Sequence, residues 1–172
     1  TLQIIIDNGR AHEQRLVDKH KELGSLVSIP EPGPDFEKVK IALAETLKAI
    51  EAGVEVIHQA TLFTGDFLGY ADFLILTKDS NNNPVKDKEG RFVYEPVDAK
   101  SARIAKRAAV LQVASYAWAM IKLGMAMPPR VHLWLAGDEA WSANTADLID
   151  LADEFESRAR SRITQYNAIN DP

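Results

Sequence analysis

Apolar and polar positions recur along the chain with a period that changes from block to block, and each period predicts an element. Residues 7–24 read as a helix: Leu16, Val17 and Leu23 mark a stripe, Asp7 or Asn8 can cap it, and Gly24 can end it. The short run 2–6 fits either a strand or an extension of that helix. Three prolines and a glycine within 28–35 predict a loop. Val39, Ile41, Leu43, Leu47 and Ile50 then predict a second helix over 36–52, ended by Gly53. Residues 54–63 and 67–77 are rich in β-branched and apolar side chains on either side of Thr64-Gly65-Asp66, which predicts an antiparallel hairpin. Residues 79–90 hold three consecutive asparagines, a proline and alternating charges, and predict an exposed, mobile connection. A third strand is expected over 91–100, with Pro96 weakening its ladder. Residues 102–123 predict the most apolar helix, stopped by Gly124 and Pro128-Pro129; 131–136 predict a short buried strand. A last amphipathic helix is expected over 146–166, with Leu148, Leu151, Phe155 and Ile163 as its stripe.

The predicted order is helix, helix, strand, strand, strand, helix, strand, helix. The third strand, the long helix and the fourth strand make a parallel crossover unit inside a mixed sheet, so the expected class is α/β. With 172 residues, 46% hydrophobic and 26% charged, the chain fits one globular domain and excludes a disordered tail or a collagen-like repeat. No apolar run approaches the ~20 residues of a membrane span, and no basic–apolar–small leader opens the chain, so a cytoplasmic protein with no membrane partner is expected. Thr1 at the start and the polar tail 167–172 read as a piece excised from a longer protein. The absence of cysteine removes disulfides, thiolate nucleophiles, zinc ribbons and iron–sulfur ligation. Twenty basic against 25 acidic residues give a net charge of −5, unlike a bulk-basic nucleic-acid binder.

Four features carry candidate chemistry, and each has a plainer reading beside it. Asp98 and Lys100, two apart at the end of a strand, project from one face. A carboxylate there can hold a hard divalent cation, and the lysine can position a water; chance spacing is the alternative. Asp72 sits in the apolar strand 69–76, where a carboxylate is costly unless paired or metal-bound. Strict alternation groups it with Leu74 and Leu76, facing inward; it could equally be satisfied by backbone or by Lys100. Gln112 and Tyr116, four apart, share a helical face, with Arg103, Lys106 and Arg107 on the preceding turns as a basic edge suited to phosphate oxygens. A solvated first turn with an ordinary polar pair is the other account. His12-Glu13 lies on the first helix, with His12 one turn before Leu16 near the buried edge, where a histidine is ordinarily a hydrogen-bonded core residue. There is no glycine-rich phosphate loop and no Gly-x-Ser-x-Gly elbow.

Taken in order, His12-Glu13, Gly69-x-x-Asp72, Asp98-x-Lys100 and Gln112-x-x-x-Tyr116 resemble the RecB-like branch of the PD-(D/E)XK nuclease superfamily over about residues 9–136. The stretches 8–13 and 94–100 look like those of putative RecB-family nucleases often joined to helicase-type ATPases. The resemblance implies a restriction-endonuclease-like core: a central mixed β-sheet flanked by helices in α-β-β-β-α-β order. It implies a metal-dependent deoxyribonuclease, exo- or endonucleolytic, acting in DNA repair or recombination, with Mg²⁺ or Mn²⁺ as cofactor and a helicase or ATPase domain as possible partner. Asp72 and Asp98 would be the metal carboxylates, with His12 and the Ala99 carbonyl as further ligands. Lys100 would be the catalytic lysine, Gln112 and Tyr116 would orient site and substrate, and Arg103, Lys106 and Arg107 would bind DNA. Cysteines found downstream in relatives of this branch are absent. A degenerate nuclease fold that binds DNA or a protein partner is the rival expectation, and a structural α/β domain with coincidental spacings is a third. The acids Asp147, Asp150, Asp153, Glu154 and Glu156 fall in the last helix, expected to lie away from the site, so the local cations rather than the bulk charge would meet DNA, weakly and with strong salt dependence.

Overall fold

The computed structural model describes residues 2–170, apart from some side chains toward either end; the Leu23 and Ile163 side chains of the expected stripes and the tail beyond 170 lie outside the described residues. The first helix, α1 (Leu2–Leu23), runs without a break, so residues 2–6 extend it. β1 (Leu26–Ser28) and α2 (Phe36–Glu51) follow, then β2 (Val56–Phe63), β3 (Leu68–Leu76), β4 (Tyr94–Ala99) and α3 (Arg107–Lys122). β5 (Arg130–Trp134), β6 (Ala140–Asn144), a 3₁₀ turn (Thr145–Asp147) and α4 (Ile149–Asn170) complete the order.

Local chemistry sets these boundaries. The Asp35 carboxylate caps α2 by accepting the N–H groups of Glu37 at 3.0 Å and Lys38 at 3.3 Å. α2 ends at Gly53, where φ is +67°, and a Cβ there would stand 2.9 Å from the Phe92 ring. α3 starts at Arg107, five residues later than its apolar pattern suggests. The Ala102 carbonyl accepts the Ala136 N–H at 3.0 Å, so the chain stays beside β5 as far as Ala102, and residues 103–106 are irregular before the helix begins. Arg103 therefore sits in irregular chain and Lys106 is the N-cap residue, not members of a helical stripe. Residues 79–90 are ordered by their own acids rather than a mobile connection. Asp79 accepts the N–H groups of Asn81 and Asn83 at 2.8 and 2.9 Å, Asp87 those of Glu89 and Arg91 at 3.0 and 2.9 Å, and bridges join Lys78 to Pro84 and Lys86 to Phe92.

The six strands form one mixed sheet in chain order. β2, β3 and β4 make an antiparallel meander, and a parallel pair flanks it on each side: β1 with β2 around α2, and β4 with β5 around α3. β6 returns antiparallel on β5. The crossover expected around the long helix is present, and the one around α2 is an addition, because β1 has three residues and shows no period. β6, with one aromatic and no β-branched residue, escapes the same pattern test. Pro96 stands buried within a central strand opposite Leu74, and β5 pairs with β4 only from Val97 on.

α1 covers one face of the sheet, with Val17 packed among Val56, Phe73, Val97 and Trp134. α2, α3 and α4 cover the other, where Ile50, Val113, Met120 and Ala152 join Ile57, Leu62, Leu74 and Leu133 in the larger core. The architecture is α/β, a sheet between helical layers. Among the described residues no helix is long and apolar enough to cross a membrane.

One buried hydroxyl ties α2 to the sheet. Thr46 Oγ1 donates to the Ala42 carbonyl at 2.9 Å and accepts the Thr61 N–H at 3.1 Å. Thr46→Val keeps the shape and strands that N–H, so it should cost about 1–3 kcal/mol. The check is urea unfolding: a midpoint unchanged from the parent would show that Thr61 finds another acceptor.

Candidate active site

The site begins with an interruption in the β2–β3 ladder. His58 pairs with Phe73 and Ala60 with Ala71, so register is conserved, yet Gln59 and Asp72 between them do not pair, and Gln59 has φ +55°. Side-chain alternation slips there: Ile57 and Ala60 on β2, and Ala71 and Leu74 on β3, all belong to the same core. Asp72 is thereby released from the inward row with Leu74 and Leu76 and lines a cleft instead. Its Oδ2 accepts the Ala99 N–H at 2.7 Å and its Oδ1 accepts from Gln59 Nε2 at 3.2 Å.

The cleft, about 490 Å³, lies between α1, the β2–β3 hairpin, the end of β4 and α3. Asp98, 2% exposed, and Lys100 enter it from β4 and the residue after it, and Lys100 Nζ lies 2.6 Å from Asp98 Oδ2 as an ion pair. That oxygen is buried and has no partner in hydrogen-bond geometry. Lys100 Nζ also donates to Gln112 Oε1 at 3.0 Å, and Gln112 Nε2 donates to the Tyr116 hydroxyl at 2.8 Å. An ammonium only donates, so the amide must turn its oxygen to Lys100 and its nitrogen to Tyr116. The tyrosine oxygen thus accepts, and its own proton is left for an acceptor in the cleft. Gly69 makes room for this ring: a Cβ at residue 69 would stand 2.8 Å from it.

Two acids crowd one corner. Burial first, and then the Asp98 charge, push the Asp72 carboxyl up to about 8, against the opposing pull of the Ala99 N–H. Burial likewise raises the Tyr116 hydroxyl, reinforced by Asp98 and Asp72, so it stays a donor at neutral pH. Glu13 behaves in the opposite way: hydrogen bonding from His58 holds its carboxyl below the usual range, with Gln59 adding to this against the effect of burial. Glu13 Oε1 takes His58 Nε2 at 2.8 Å and also Gln59 Nε2, while Ser28 Oγ lies 3.0 Å from His58 Nδ1.

The structure therefore brings Asp72, Asp98, Ala99, Lys100, Gln112 and Tyr116 together in one cleft. It does not bring in His12. That ring is buried, its Nε2 is 3.3 Å from the Trp134 carbonyl, and it lines a separate cavity with Leu16 and His20. The α1 residues in the cleft are Gly9, Arg10 and Glu13. Glu13 stands one turn before Val17, which is buried, and His12 one turn before Leu16, which is half-buried; with both positions apolar, the sequence carried no signal to choose between them. Gln59 gave no signal, since its role depends on a backbone conformation rare for glutamine. Of the expected DNA-binding cations, Lys106 lines a shallow hollow beside Lys100, and Arg103 and Arg107 line neither it nor the cleft, although both are exposed. The acids of α4 are nearer than expected: Glu156 accepts from Ser115 at 3.0 Å and Asp153 from Trp118 Nε1 at 2.8 Å, both on α3. Among the described residues no group of three or more His, Cys, Asp or Glu side chains is placed to hold a metal ion. Three carboxylates line the cleft, but Glu13 is engaged by His58 and Gln59, which leaves Asp72, Asp98 and backbone oxygen as the donor set. The sequence matches no family model and no curated protein.

The raised Asp72 carboxyl makes stability depend on pH with a definite sign. Between its unfolded value of about 4 and its folded value of about 8, the native state binds the extra proton, so stability is full below that window and falls as pH rises through it. Asp72→Asn keeps an acceptor for Ala99 and removes the titration. Metal-free melts from pH 5 to 8.5 should show the parent losing Tm relative to the variant, by about 2–4 °C for each kcal/mol of stability lost. Parallel curves would mean that Asp72 is ionised throughout.

Proposed function

We propose that this chain is a divalent-metal-dependent DNA nuclease that hydrolyses phosphodiester bonds, built on the PD-(D/E)XK core of the RecB-like branch. The observation that carries the reading is the meeting, in one cleft, of Asp72 from β3, Asp98-Ala99-Lys100 from the end of β4, and Gln112 with Tyr116 from the crossover helix. Fold alone hosts many functions; this constellation supplies the specific chemistry. The donors suit Mg²⁺ or Mn²⁺: hard carboxylate oxygens, one of them buried and met only by the Lys100 ammonium at 2.6 Å, on two acids whose mutual repulsion a cation would relieve. Asp72 and Asp98 would hold the ion, with the Ala99 carbonyl as a third oxygen. When bound, such an ion lowers the pKa of water and offsets the phosphate charge.

The chain's own residues do the rest. Lys100, fixed between Asp98 and Gln112, holds the attacking water by its ammonium. Tyr116, accepting from Gln112, turns its remaining proton to a phosphate oxygen and stabilises charge as it develops there. Arg10 in the cleft and Lys106 beside it receive the flanking phosphates. In a cell such an activity would serve DNA repair or recombination, alongside an ATPase that presents the strand. One observation favours a second reading, a nuclease fold kept for binding: among the described residues no third His, Asp or Glu joins Asp72 and Asp98 in a metal-holding group, and Asp98 already has its counter-charge in Lys100.

The test uses end-labelled single- and double-stranded DNA with millimolar Mn²⁺ or Mg²⁺. The parent should cut, EDTA should stop it, and Asp98→Ala or Lys100→Ala should lower the rate roughly 100-fold or more. Undiminished cutting by either variant would overturn the assignment. A folded parent that neither cuts nor shows a Tm rise with Mn²⁺ supports the binding module.

A further inference from the structure

A second depression opens directly off the cleft and has a different character. It measures about 490 Å³ and is lined by Phe67, Leu68, Leu111 and Phe155, with Ser115 and Glu156 as the polar members it does not share with the cleft. Leu68, Gly69, Gln112 and Tyr116 line both spaces, so the two are continuous around the Tyr116 ring. Scattered apolar residues on a surface are unremarkable, but here two large ones, Leu68 at 44% and Phe155 at 47% exposure, look into one hollow. Its back wall is built of packed rings: Phe67 meets Trp118 edge-on at 5.9 Å between centroids, and the absent Cβ of Gly69 lets the Phe67 and Tyr116 rings approach.

The division of chemistry between the two spaces matches the two halves of a nucleotide. The cleft holds acids, a lysine and an arginine, suited to metal and phosphate. The hollow is apolar and aromatic, and its one charge is negative. A phosphate would be repelled by Glu156, whereas a base would stack on Phe155 and offer its N–H groups to that carboxylate, of which one oxygen already takes the Ser115 hydroxyl at 3.0 Å. The N–H donors on the Watson–Crick edge of a base are consumed when it is paired. The hollow therefore suits a base only after it has left its partner.

We propose that the hollow between the start of β3, α3 and α4 is a base subsite, which takes the unpaired, unstacked base of the DNA nucleotide next to the phosphate in the cleft. This rests on the nuclease reading for the direction in which the strand runs, and it adds a requirement for at least one unpaired nucleotide at the site of action. Phe155 is the platform and Glu156 the acceptor; neither touches the reacting phosphate.

The experiment measures binding of the full chain, in EDTA, to a fluorescent single-stranded oligonucleotide, to the same strand with abasic positions, and to a blunt duplex, alongside cutting of each in Mn²⁺. Phe155→Ala should weaken binding to the intact strand about tenfold, within the range for one base on an aromatic ring, and leave the abasic strand and duplex unaffected. Phe155→Trp should restore it, and the unchanged melting of both variants excludes misfolding. Equal loss on intact and abasic strands, or no loss, overturns the subsite. If the parent cuts with metal but Phe155→Ala binds like the parent, the subsite falls and the nuclease reading stands. If Phe155→Ala shows the selective loss but nothing is cut, the subsite stands and the nuclease reading falls. A parent that binds none of the three and cuts none of them overturns both.

Discussion

The Asp72 carboxylate takes the Ala99 amide at 2.7 Å just beyond Val97, where the backbone pairing of β3 with β4 has ended. A side chain has replaced the carbonyl that a longer β3 ladder would have offered, and the positions of the other cleft residues follow from it. The bond holds Asp72 beside Asp98, so two acids must share a corner from which most water is excluded. It fixes the end of β4, whose other edge is held by the Lys100 N–H on the Trp134 carbonyl at 2.8 Å. Lys100 can then meet both Asp98 and Gln112, and the amide orientation passes on to Tyr116. Strain of this kind, an unusual backbone at Gln59 and a crowded carboxylate pair, is what functional sites retain at a cost to stability.

Much of this was legible in the sequence, for reasons that can be separated. The β2–β3 hairpin, α2 and the β4–α3–β5 crossover announce themselves through apolar periods long enough to exceed chance. Asp72, Asp98, Lys100, Gln112 and Tyr116 are local spacings on those elements, and the structure gathers them. What escaped depends on long-range or rare features. β1 is too short to have a period, and β6 too mixed in composition. The late start of α3 goes with a bond to the Ala136 amide, thirty-four residues beyond the Ala102 carbonyl that accepts it. Choosing Glu13 over His12 required knowing how far α1 is rotated against the sheet, which a stripe interrupted by polar residues left open.

Charge shows the same limit of local reading. The net value of −5 describes the whole surface, whereas recognition acts over a Debye length of about 8–10 Å. α4 brings its acids onto α3, where Trp118 and Ser115 engage two of them. The cations near the cleft come from elsewhere, α1 and the stretch before α3. Cations and acids thus sit toward different ends of the continuous cleft and hollow, a distribution that neither total charge nor its order along the chain reveals.

The strand order repeats the chain order, and this has a kinetic consequence. Every strand after the first pairs with the one synthesised just before it, so no strand must wait for a distant partner, and loop-closure entropy is met in small steps. The residue of the cleft that arrives last is Tyr116, and Phe155 follows 39 positions later. A chain emerging from the ribosome would therefore assemble the Asp72–Asp98 corner before α4 walls off the neighbouring hollow.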